Sequence, residues 1–127
     1  MPRTITLRLP WFPRELSPNS RPHHMEKAKA VKAYRSDCYL DARDSTWPIK
    51  NPPLIRSPVL ATTTFHVDAK RRYDFRNLDA ALKPMWDGLV DAGILQDDST
   101  EHLRHAESKL VLGKEKKIVV VLEEVEG

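Results

Sequence analysis

Between Arg71 and Ser99 the chain sets out acids, bases and one lysine in an order suited to hydrolysis of a phosphodiester. Arg71-Arg72-Tyr73-Asp74 follows a strand-like run, Lys83 lies on the helix that comes next, and Asp97-Asp98 stand just past the end of that helix. Carboxylates far apart in the chain are thereby carried toward one edge of a sheet. Magnesium takes octahedral oxygen ligands, usually one or two carboxylates completed by water and phosphate oxygens. Such an ion activates a water and neutralises charge building on phosphorus. A neighbouring lysine stabilises that charge or protonates the leaving oxygen. Basic residues belong beside the acids, because acids alone repel a DNA backbone.

The elements that must position these groups follow from periodicity. Thr4 to Leu9 alternates apolar and polar residues, the mark of a half-buried strand, and Pro10 and Pro13 end it. Leu16 to His24 is turn-rich. Met25 to Arg43 spaces Ala28, Val31, Tyr34, Cys38 and Ala42 by three or four, which predicts an amphipathic helix. Asp44 to Pro58 reads as a long surface loop, and Val59 to Val67 as a second strand rich in β-branched residues. Asn77 is the expected N-cap of a second helix, with Leu78, Ala81, Leu82, Met85, Leu89 and Ala92 as its apolar stripe and Gly93 as its stop. Pro84 removes a ladder hydrogen bond inside that helix, so a kink is expected near Ala80. Ser108 to Leu112 and Lys116 to Val125 read as two strands around Gly113-Lys114-Glu115, with Ile118 to Leu122 covered on both faces. The expectation is a single α/β domain over residues 1–127, a mixed sheet with two helices in the order β-α-β-α-β-β.

At 127 residues the chain holds one core, not two ordinary domains. With 40% apolar and 31% charged residues it has the composition of a soluble globular protein. The apolar run Ile118 to Leu122 is far too short to span a bilayer, and the first residues lack the apolar stretch of a signal peptide. The one cysteine, Cys38, has no internal partner, in keeping with a reducing compartment, so a cytoplasmic protein is expected. The net charge of +3 and pI of about 9.1 are compatible with a polyanionic partner. Basic residues concentrate at Lys27 to Arg35 and at Lys70-Arg71-Arg72.

The ordered set Arg71-Arg72, Asp74, Asn77, Lys83, Asp87-Gly88-Leu89-Val90-Asp91-Ala92-Gly93 and Asp97-Asp98 resembles the RusA family of Holliday-junction resolvases. The family pattern is a basic pair, an aspartate, an asparagine three residues later, then a helix with a lysine, D-x-L-x-x-A-G and D-D. Leu9-Pro10-Trp11 and Ser17-Pro18-Asn19-Ser20-Arg21 are also similar, so the likeness runs over nearly the whole chain, most of all to the phage and actinobacterial branch. The resemblance implies Asp74 as first metal ligand and Asp98, beside Asp97, as the later one. It implies Lys83 as catalytic lysine, Asn77 as a residue that orients the site, and Mg2+, with Mn2+ able to substitute. Phosphates would be met by Arg71, Arg72, Lys70, Arg76, Arg21, Lys29 and Lys32. It also implies branched DNA as substrate and a homodimer, in a bacterium or its phage-infected host. One departure stands out: family members with the full acidic set carry a second aspartate where this chain has Arg76. That swap changes the local charge by two units and weakens metal binding by about one to a few kcal/mol. Asp79, two residues past Asn77, is a candidate replacement.

Rival readings attach to each residue. Asp74 and Asp97-Asp98 are also ordinary turn residues, and Lys83 is equally a solvated helix lysine. Asp87 and Asp91, four apart on one helix, either line the cleft or are solvated or capping residues. The five histidines show no zinc spacing, though His102 follows the acidic pair closely. Trp86 reads as core. Trp11 and Phe12 either pack or stack on unpaired bases. The rival functions are a junction-binding protein that does not cut, a nuclease preferring flaps or forks, and a small DNA-binding regulator.

Overall fold

The computed structural model describes residues 3–17, 21, 23–46, 55, 58–68 and 73–125. Strand β1 (Thr4–Pro10) is followed by one 3-10 turn and helix α1 (His24–Thr46). Strand β2 (Val59–Val67) leads to helices α2 (Phe75–Ala80) and α3 (Lys83–Asp91). Strands β3 (Leu103–His105), β4 (Lys109–Leu112) and β5 (Lys117–Glu124) complete a small mixed α/β domain. Most of the expected Asp44–Pro58 loop, and Lys70, Arg71 and Arg72, lie outside the described residues. Among the described residues no helix is long and apolar enough to cross a membrane.

The sheet runs β1-β5-β2, both pairs antiparallel, with Leu7 opposite Val120 and Phe65 opposite Ile118. On the outer side of β2, β3 pairs parallel with its first half and β4 with its second. The three-residue β3 was not expected, since a strand of that length carries too few alternations to be read from pattern. β4 is exposed along its whole length, and Lys109 lies on it, a charge at the sheet edge that discourages pairing with another chain.

One face of the sheet is buried. Leu7 and Leu9 of β1, alternate residues Val59 to Val67 of β2, and Ile118, Val120 and Leu122 of β5 are all below 5% exposed. All but Thr63 and Val67 join one core with Tyr34, Cys38 and Ala42 of α1 and Met85 and Leu89 of α3. Val119 and Val121 are only half-buried, so β5 is covered on one face, not both. A continuous Val/Ile/Leu run is common where both faces of a strand are buried, yet here the outward Val119 and Val121 are only partly covered. Ala28 is likewise exposed, and the packed face of α1 begins at Ala30 and Val31. Burial pushes the Cys38 thiol up to about 12, as expected of a small core side chain.

The second helix is two. α2 ends at Ala80, and Lys83 opens α3 with Pro84 in its first turn. There the missing proline N–H has no ladder partner to lose, so the expected kink becomes a clean break. Gly93, at φ 79°, closes α3. Its N–H bonds Val90 O at 3.0 Å while Ile94 N–H bonds Leu89 O at 3.1 Å, a Schellman closure that buries Ile94.

Candidate active site

Asp74, not Asn77, caps α2. Its backbone is extended, and its carboxylate accepts from the Arg76 N–H at 2.9 Å. The helix therefore begins two residues before Asn77, and the carbonyl of Asn77 is already inside it, accepting from Ala81 N–H. Aspartate and asparagine are equally good caps, and at the sequence level the later one fitted the apolar stripe better. Asp74→Ala is expected to cost about 1 kcal/mol of stability by loss of the cap, and Asp74→Asn close to nothing. Thermal melts of the two variants check this, and equal losses would contradict the capping role. Because asparagine keeps the cap, Asp74→Asn separates any role of the carboxylate charge from its role in folding.

Lys83 is the meeting point of the site. As the first residue of α3 it is 64% exposed, and its ammonium donates to Asp87 Oδ1, one helical turn on, at 3.0 Å. It also makes a short contact with Asp98 Oδ2, fifteen residues away in the chain. Arg35 reaches across from α1, donating to both carboxylate oxygens of Asp91 at 2.6 and 2.8 Å and standing 3.9 Å from Asp87. The order Asp91, Arg35, Asp87, Lys83, Asp98 is thus a continuous ladder of alternating charge. With three acids against two bases it keeps one net negative charge.

The two adjacent aspartates have separate tasks. Asp97 Oδ1 turns back to accept the Asp98 N–H at 2.8 Å, and that bond draws the Asp97 carboxyl below the usual range. Asp98 is thereby presented toward Lys83. Its bonds to Asp98 and then Asp87 hold the lysine above its ordinary value. At neutral pH Lys83 is therefore a fixed positive charge, better suited to stabilising an anion than to giving up a proton.

Beside the ladder opens a cleft of about 570 Å³ between α2–α3 and the β3–β4 edge. Lys83, Asp98 and Asp79 line it, with Thr63, Trp86, His105 and Ser108. Asp79 accepts from Ser108 Oγ at 3.2 Å, and burial raises its carboxyl above the ordinary range, partly offset by Ser108 and His105. Trp86 is buried, as expected of a core residue, and its ring meets His105 edge-on at 5.0 Å. Asp74 and Asn77 are not among the lining residues. Of the expected set, then, the structure joins Lys83 to Asp98, keeps Asp97 as a support, and leaves Asp74 at a helix cap.

No family model matches the chain. Over 87 residues it is 33% identical to an uncharacterized protein of Xylella fastidiosa, a stretch that is 68% of this chain and 56% of that protein. The chain thus spans little more than half the length of that relative. Neither comparison bears on the RusA resemblance, which rests on the motif residues.

Of the expected phosphate contacts among the described residues, Arg21, Lys29, Lys32 and Arg76 are all exposed. Lys29, however, lines a second groove with Glu15, Glu26 and Asp37, and three nearby acids make it a poor phosphate contact. Trp11 is half-buried, stacked on Phe12 at 5.0 Å, with the Lys116 ammonium 5.1 Å from its ring centre. Phe12 is buried, so packing accounts for the pair. The His102 backbone is bound at both ends, to Ser99 and to Val59, and its Nδ1 is buried without a partner among the described residues. Arg35, His105 and Ser108 were not anticipated as site residues. Arg35 and Asp91 are separated by fifty-six positions, and no local spacing could have paired them.

Proposed function

We propose that this protein is a magnesium-dependent endodeoxyribonuclease acting on branched DNA, four-way junctions first, in recombination and repair. The observation that carries the reading is the meeting of Lys83 with Asp98 in the lining of an open cleft, two residues that the sequence pattern alone marks for chemistry. Asp98, Asp87 and Asp79 give this region an excess of acid, which repels a phosphodiester until a cation offsets it.

The residues present fit magnesium in one form only. Among the described residues no group of three or more His, Cys, Asp or Glu gathers into a metal cage. Two carboxylates do converge on the Lys83 ammonium, and magnesium commonly takes one or two with water completing its shell. Asp98 would hold such an ion, in a site rich in water. When bound, the ion supplies an activated water and charge neutralisation at phosphorus. Lys83 stabilises the developing anion, Asp97 keeps Asp98 aimed, and Asp79 with Ser108 shapes the cleft wall. A homodimer suits the substrate, since a four-way junction is nearly two-fold symmetric and resolution needs two matched cuts. A buried lone cysteine agrees with work in a reducing cytoplasm.

A second reading is favoured by one observation: the expected ligands are already engaged, Asp74 by the α2 cap, Asp97 by the Asp98 N–H and Asp98 by Lys83. A protein in that state binds junctions without cutting them. Incubation of a labelled immobile junction with magnesium, manganese or EDTA, beside duplex, flap and fork controls, separates the readings. Paired symmetric nicks that require the metal are expected. Cutting of flaps or forks in preference to junctions would shift the substrate, and tight binding without any product would leave a binding protein.

A further inference from the structure

Asp87 has no chemical role of its own in the mechanism above, yet both cations of the charge ladder stand against it. Arg35 stands beside it at 3.9 Å and is itself pinned by two bonds to Asp91, so the carboxylate lies between two cations. Lys83 bonds it across one helical turn at 3.0 Å, a pairing that α3 itself supplies. Asp98, by contrast, comes from the turn after the helix and shares the same ammonium. A cation and the Lys83 ammonium compete for Asp98, because both are held there by the same charge. Without Asp87, a lysine leaving Asp98 would surrender both of its carboxylate contacts, whereas with Asp87 in place it gives up one of two.

We propose that Asp87 is a positioning residue that retains Lys83 when Asp98 is given over to a divalent cation. This rests on the cation-dependent reading of the site. Lys83 then swings by side-chain rotation alone, stays at the cleft mouth beside the phosphate, and needs no movement of the backbone. Arg35 and Asp91 serve the same end, by fixing the seat to which the lysine moves.

Manganese binding, followed by electron paramagnetic resonance of the free ion, tests this without any activity measurement. Lys83→Met removes the competitor and is expected to tighten binding about tenfold. Asp87→Asn leaves Lys83 with Asp98 alone and is expected to weaken binding about tenfold, while Asp87→Glu restores it to within about twofold. In the Lys83→Met background Asp87→Asn should weaken binding no more than about twofold, the loss of one nearby screened charge. Equal weakening in both backgrounds would mean that Asp87 ligates the ion or merely holds α3 in place, and would overturn the proposal. So would unchanged affinity in Lys83→Met. If neither the unaltered protein nor Lys83→Met binds manganese, the cation-dependent reading itself fails, a result distinct from manganese binding that ignores Asp87.

Discussion

Lys83→Met is expected to lower metal-dependent junction cleavage at least about 100-fold while leaving the fold and junction binding close to unchanged. The side chain is 64% exposed, and methionine keeps most of its apolar stem, so stability should move by less than about 0.5 kcal/mol. What disappears is a positive charge held at the mouth of the cleft by two carboxylates. A charge placed in advance where an anion develops contributes far more to the transition state than to the ground state, and a factor of about 100 corresponds to roughly 3 kcal/mol. The opposite behaviour of two observables makes the prediction sharp: manganese should bind more tightly as cleavage falls. Rates measured under saturating metal, beside dissociation constants for the same junction, check it. A cleavage loss that follows weaker DNA binding would assign Lys83 to the phosphate contacts. Undiminished cleavage would remove it from the chemistry.

Much of the frame was legible because it depends on local pattern. The alternation in Thr4–Leu9 specifies a strand through period two and the β-branched content of Val59–Val67 specifies another; both are found, the first with Leu7 and Leu9 buried as its alternation requires. Pro84 marked an irregularity in the second helix, expected as a kink and found as a break, and Gly93 marked its stop, both through backbone chemistry that acts within one turn. The site was legible only in part. Lys83 and Asp98 were singled out as types in a pattern, and their meeting depends on the turn that Gly93 initiates. The cap at Asp74 could be told from one at Asn77 only by knowing where the strand hands over to the helix, since either residue satisfies the orphan N–H groups. Arg35 was beyond reach, because α1 and α3 are brought together by core packing of residues such as Cys38 and Leu89, far apart in the chain. Long-range ion pairs are a consequence of the fold, and a single sequence carries no local trace of them.

The ladder itself depends on how closely those two helices approach, and that distance is set at Gly88. An ideal Cβ built there would lie 2.6 Å from the Arg35 carbonyl oxygen, 3.1 Å from Cys38 Cβ and 3.2 Å from the Tyr39 nitrogen. Two of the three are backbone atoms of α1, which no rotamer change can move aside. Gly88→Ala is therefore expected to destabilise the protein, although alanine is the better helix former. The gain in helix propensity is about 1 kcal/mol, and forcing a methyl into a close-packed contact costs about 3 kcal/mol where the neighbour is backbone. The net is a loss of about 2 kcal/mol, or a fall in Tm of about 8 °C for a domain of this size. The site should respond as well, because the displaced carbonyl belongs to Arg35, whose guanidinium steadies Asp87. Melting curves of Gly88→Ala, together with its manganese affinity, measure both effects. A gain of about 1 kcal/mol, as for a glycine on an exposed helix face, would show that α1 and α3 stand further apart than described. It would also remove the geometric basis for a ladder that reaches from Arg35 to Asp98.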